Sequence, residues 1–184
     1  MAMVNTKERY GMLSIALHWG MVLLLVAVFA CIELRVLYAK GTEMRELLKQ
    51  WHFMLGLCVL GLVALRLVLN LVQMTPEIVP SPNKLQKLAA QGMHLALFAF
   101  MIGLPLTGWL LLSAGGKPIP FFGLDLPSLI EASKPTAKAL KAFHEYAGRA
   151  GYFLIGAHAV AALVHHHLLR DNTLLRMWPA RNIK

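Results

Sequence analysis

Charge is scarce in this chain of 184 residues: only 15% are Asp, Glu, Lys or Arg, and just 9 are acidic. Soluble globular domains carry about a quarter of their residues as charges, so the shortage excludes an ordinary water-soluble fold. Cysteine is nearly absent as well. Cys31 and Cys58 make neither a disulfide framework nor a metal-ligand spacing, which leaves them as small apolar fillers. Internal repeats and low-complexity tracts are missing, and no nucleic-acid partner is expected.

What is abundant is hydrocarbon. The chain is 58% hydrophobic, with a mean hydropathy of +0.59. Four apolar runs stand out, at residues 13–37, 51–72, 88–112 and 142–169. Each is longer than the ~20 residues that a helix needs to cross a bilayer. Backbone groups in lipid must find their partners within the segment, so each run reads as a helix. The expected fold is all-α: an integral membrane four-helix bundle, one transmembrane domain over 1–184. Val28, Phe29 and Ala30 before Cys31 faintly resemble a cleavage site. Phe29 suits it badly, and three further spans favour an uncleaved first helix.

The connecting segments are polar or rich in proline. Pro76, Pro80 and Pro82 forbid helix between the second and third spans. The longest link, 113–141, carries Gly115, Gly116, Pro118, Pro120, Pro127 and Pro135, with a short helix near 136–141 running into the fourth span. Pro105 should kink the third helix. Four spans put both termini on one side. Lys and Arg number nine on each side of the membrane, Arg181 and Lys184 included, so the positive-inside rule does not orient the chain.

Histidine is where an apolar chain becomes informative. His18, His52, His144 and His158 lie within the long runs, and His94 within the remaining one. An imidazole in hydrocarbon needs a reason to be there, and several at once suggest a metal or haem, for which neutral imidazole is a good axial ligand. His144 and His158 are 14 residues apart. That separation is close to four helical turns and about 21 Å along one face. The simplest pairing sets His52 with His144 on the loop side and His18 with His158 on the terminus side. Each pair would hold one haem b, giving two per chain, and the chemistry would belong to the haems, with no further catalytic residue.

Other residues have candidate secondary roles. His94 lies at the depth of His18 and His158, which makes three imidazoles for two axial positions; it is expected to meet a haem propionate or a quinone, or simply to pack, with axial ligation the less favoured alternative. His165, two turns beyond His158, either hydrogen-bonds a quinone carbonyl or stands idle at the interface with His166 and His167. Arg149 and Arg66 could each pair with a haem propionate, snorkel or face a polar cavity, with snorkelling the favoured reading for Arg66. Lys117, Lys134, Lys138 and Lys141, with Arg45 and Lys49, could steer a small anion toward His52 and His144, or form a plain solvated surface. Gly56, Gly61, Gly148, Gly151 and Gly156 could admit a flat macrocycle or close helix packing.

These residues resemble the bacterial cytochrome b561 family of small dihaem membrane proteins. The likeness rests on Ala16-Leu17-His18-Trp19, on His52 with Gly56, on His144-Glu145, and on Gly151-Tyr152-Phe153. It continues through Ile155-Gly156-Ala157-His158-Ala159, Ala161-Ala162-Leu163 and His165-His166 to Asp171-Asn172-Thr173-Leu174-Leu175-Arg176-Met177. The resemblance implies haem ligation by His18, His52, His144 and His158, and a multi-pass protein of the bacterial inner membrane with cytoplasmic termini. Within the family the chain is similar to the member that oxidises periplasmic superoxide and reduces ubiquinone. The family also implies an alternative: a cytochrome b anchor subunit relaying electrons from a partner dehydrogenase or hydrogenase to quinone.

Overall fold

The computed structural model describes residues 2–179; Arg181 and Lys184 of the charge balance lie outside them. Four long helices dominate: α1 (Met12–Leu34, continued by a 3-10 turn at Arg35–Leu37), α2 (Glu43–Val72), α3 (Lys84–Ala114) and α4 (Lys134–His167). A two-stranded hairpin, β1 (Ile119–Phe121) and β2 (Leu124–Leu126), joins α3 to α4, and a short α5 (Thr173–Met177) follows. All four long helices have the length and apolarity to cross a membrane. The fold is an all-α membrane bundle, and its outward faces fit lipid better than water. Leu71 and Phe153 are 78% and 80% exposed, among many large apolar side chains left uncovered.

Three helices start well before their apolar runs, because polar residues begin them. At α2, Glu43 and Glu46 occupy the first turn, where negative charge suits the helix dipole. At α3, Asn83 and Gln86 exchange side-chain and backbone hydrogen bonds at 2.9 Å in both directions, a reciprocal capping box. At α4, the Ser133 hydroxyl accepts from the Thr136 amide at 3.4 Å. Pro135 sits in that first turn, where no amide donor is needed. Pro105 lies inside α3, which continues through it.

The chain divides into two compact units, and each long helix contributes a segment to both. Of the described residues, the first comprises 2–20, 64–99 and 151–179. Here the polar arm is tied down rather than free. Asn5 accepts from the Gly11 amide and the Ser14 hydroxyl and donates to the Met74 carbonyl. The tail is held in the same way: Val79 and Asn172 bond each other through amide, carbonyl and side chain. Arg176, buried, donates to the Pro76 carbonyl and lies over the Tyr10 ring.

The second unit comprises residues 21–63 and 100–150. Its core includes Met21, Met54, Val59, Val63, Met101 and Leu112. The hairpin belongs to it, turning through Phe122 and Gly123, both at positive φ. The prolines and glycines of the link gave no sign of a strand pair. The pairing of Ile119 with Leu126 is a local turn effect that composition does not reveal.

Candidate functional site

In the second unit, α2 and α4 bring His52 and His144 opposite each other. Their ring centroids are 6.1 Å apart, with the planes at 85°. Both rings are fixed from behind. His52 Nδ1 lies 3.0 Å from the Val28 carbonyl oxygen on α1, an acceptor, so Nδ1 carries the proton. His144 Nδ1 lies 3.2 Å from Thr107 Oγ1 on α3. The Thr107 hydroxyl spends its own proton on the Leu104 carbonyl at 2.7 Å, leaving its lone pairs for His144. Each imidazole therefore has its Nδ1 engaged as a donor and its Nε2 lone pair free. This is the tautomer of a metal-binding histidine oriented by an outer partner.

Glycines complete the setting. A Cβ on Gly108 would meet His144 Cε1 at 3.3 Å, so the bare backbone allows this approach of ring to helix. Gly56 and Gly148 stand one turn beyond His52 and His144 on the same helix faces, and a Cβ at either would meet nothing within 4 Å. Open space beside facing imidazoles is what a flat macrocycle requires.

The first unit gathers three imidazoles. His18 and His158 have centroids 6.4 Å apart, and His94 lies 5.7 Å from His158. Trp19 packs edge-on against His18 at 5.7 Å and donates its indole N–H to the Met177 carbonyl at 2.9 Å. Arg66, expected to snorkel, instead turns its Nη2 to within 3.3 Å of His18 Nδ1.

These spacings fit axial haem ligation. Two metal–imidazole bonds of roughly 2 Å, plus half a ring on each side, put centroids about 6 Å apart. Both pairs meet that figure, as does His94 with His158 at 5.7 Å, so distance alone does not choose between His18 and His94. Among the described residues no group of three or more His, Cys, Asp or Glu is set to hold a metal ion directly, the run His165, His166 and His167 included. Paired imidazoles without further ligands suit a haem iron, whose other four ligands come from the macrocycle.

The remaining candidates separate. His165 Nδ1 lies 2.5 Å from the Asp171 carboxylate. Arg170, in the left-handed region at φ 53, reverses the chain after α4, and the Asp171 amide then donates to the His165 carbonyl. Burial alone would raise the Asp171 carboxyl, but hydrogen bonds from His165 and the Thr173 amide outweigh it, and the net direction is downward. Arg149 stands exposed on α4 in the unit of His52 and His144.

Of the basic residues on the loop side, Lys49 is paired with Glu46 at 2.5 Å, and Arg45 is bound by the carbonyls of Arg35 and Tyr38. Lys141 faces Glu145 at a loose 3.8 Å. Lys117, Lys134 and Lys138 remain exposed. The first turn of α4 holds no acid, so the positive end of its dipole adds to theirs. Sequence reasoning missed Thr107, the Val28 carbonyl, Gly108 and the Asp171 partnership. A Thr between apolar residues near Pro105 was the one available signal, and it resembles ordinary helix back-bonding.

Comparison with known proteins adds an independent line. Residues 9–180 match the family described as prokaryotic cytochrome b561. The chain is 37% identical to cytochrome b561 homolog 1 of Escherichia coli K12, over 95% of this chain and 99% of that one. It is 36% identical to the probable superoxide oxidase CybB of Yersinia pestis, over 95% and 98%. Cytochrome b561 homolog 2 of E. coli K12 is 29% identical over 96% and 95%.

Proposed function

The chain belongs to the prokaryotic cytochrome b561 family of bacterial membrane electron-transfer proteins, which bind b-type haem, and from that premise we propose that it passes electrons from periplasmic superoxide to ubiquinone through two haems. The observation that carries the reading is the pair of facing imidazoles in each unit, at centroid distances of 6.1 and 6.4 Å. His52 and His144 hold one haem, and His18 and His158 the other. Bound haem supplies one-electron transfer, which neither side chains nor backbone can provide.

The protein's own residues do the rest. Val28 and Thr107 keep His52 and His144 in the ligating tautomer. Lys117, Lys134, Lys138 and the positive end of α4 attract a small anion to the loop side, which faces the periplasm if the termini are cytoplasmic. Each superoxide gives up one electron and leaves as dioxygen. Reduction of ubiquinone takes two such electrons and two protons. On the terminus side, Asp171 holds His165 by Nδ1 and leaves Nε2 to meet a quinone carbonyl. His94, 5.7 Å from His158, is the further imidazole beside the haem pair on that side. The name borne by the Yersinia pestis relative supports the choice of superoxide.

Stopped-flow reduction of the purified protein by superoxide, with and without ubiquinone, tests the reading. We expect fast reduction of the haems, reoxidation on adding ubiquinone, and two superoxide consumed per ubiquinol. His52→Ala and His144→Ala should lose the same haem, and His158→Ala the other. Haems that superoxide reduces no faster than it dismutates unaided would refute superoxide as donor, and a partner dehydrogenase would take its place.

A further inference from the structure

The two imidazole pairs differ in what stands behind them. His52 and His144 are backed by neutral acceptors, a carbonyl and a hydroxyl. His18 is backed by a guanidinium: Arg66 Nη2 lies 3.3 Å from its Nδ1. Arg66 lies within the membrane-spanning helix α2 and is half-buried. Among the described residues no carboxylate pairs with it; the ion pairs found there join Lys49, Lys141 and His165 to their partners.

Charge in hydrocarbon is costly and seldom idle. Arginine can only donate hydrogen bonds, so a ligating His18, with its proton on Nδ1, cannot accept from it, and the contact acts on the ring through charge alone. What it brings to this ring is a positive charge in surroundings of low dielectric, where screening is weak. A fixed cation stabilises an added electron close by. Haem potentials respond to charge and hydrogen bonding around the axial ligands.

We propose that Arg66 raises the reduction potential of the haem held by His18 and His158, making the terminus-side haem the electron sink. The inference rests on that haem being present, as the proposed function has it. It does not depend on superoxide or ubiquinone as the reactants. The sink lies on the side where the second unit's electrons are consumed under the proposed function, so Arg66 gives the transfer a direction.

Spectroelectrochemical titration of the purified, haem-loaded protein tests this. Arg66→Gln and Arg66→Met remove the charge, and Arg66→Lys keeps it. In the neutral variants one haem should become harder to reduce by at least about tenfold, which is about 59 mV for one electron. The other haem should not move, and Arg66→Lys should recover most of the shift. The shift should persist when Arg66→Gln is combined with His144→Ala and vanish when it is combined with His158→Ala.

Unmoved midpoints in Arg66→Gln, or the same shift in Arg66→Lys, overturn the proposal. So does loss of the haem from both neutral variants, which would make Arg66 a haem-retaining group. A parent protein with fewer than two haems by pyridine haemochrome assay would instead overturn the dihaem reading beneath it.

Discussion

Thr107 offers the sharpest test of how the protein holds His144. Its hydroxyl accepts from His144 Nδ1 at 3.2 Å while donating to the Leu104 carbonyl at 2.7 Å. Thr107→Val keeps shape and branching, so α3 and its packing should survive. The carbonyl of Leu104 still has its helical partner. The imidazole N–H loses its hydroxyl acceptor and is left with only the already engaged Leu104 carbonyl nearby. An unsatisfied buried donor costs about 1–3 kcal/mol, or roughly 5- to 150-fold in affinity. Removing the outer partner of a metal-bound histidine typically costs about 10–100-fold. His144 is only half-buried, which favours the lower end, about tenfold. Haem titration into the apoprotein, followed at the Soret band, measures this directly. One of the two haems should bind about tenfold more weakly, with the other unchanged. Full affinity at both sites would refute the role given to Thr107. Weakening of the haem lost in His158→Ala, instead of that lost in His144→Ala, would refute the pairing.

Three further outcomes are expected. Asp171 has its carboxyl held below the ordinary range, so its ionised form stabilises the fold above the unfolded carboxylate pKa of about 4, and that contribution disappears as pH falls through the lowered folded value. Asp171→Asn should therefore show a shallower acid limb in thermal unfolding, and identical acid limbs would discard the argument; the same variant and His165→Ala should slow reoxidation by ubiquinone while leaving both haem spectra intact. On the loop side, haem reduction by superoxide should slow as salt rises, since attraction to exposed lysines is screened over about 10 Å at 0.1 M. Charge reversal at Lys117, Lys134 and Lys138 should slow it further and flatten the salt dependence, with haem content unchanged; rates indifferent to both would leave the lysines as plain surface.

The sequence by itself determined that the chain is a membrane helical bundle of the cytochrome b561 family. Hydrocarbon forces backbone groups to pair within a segment, so a long apolar run is a helix whatever surrounds it. Histidines in such runs are costly enough to advertise themselves, and helical periodicity alone relates His144 to His158. Tertiary structure decided what periodicity could not. It alone brings the Val28 carbonyl and the Thr107 hydroxyl behind two imidazoles, because the residues of each contact come from different helices. It turns Arg66 toward His18, although a long side chain in a spanning helix could equally have reached for the interface. It also folds the tail back so that Asp171 meets His165, through a left-handed residue, Arg170, whose sequence gives no warning of that turn. Local chemistry fixes elements, whereas contacts between them depend on side-chain direction and helix rotation, which one apolar face can satisfy in several ways.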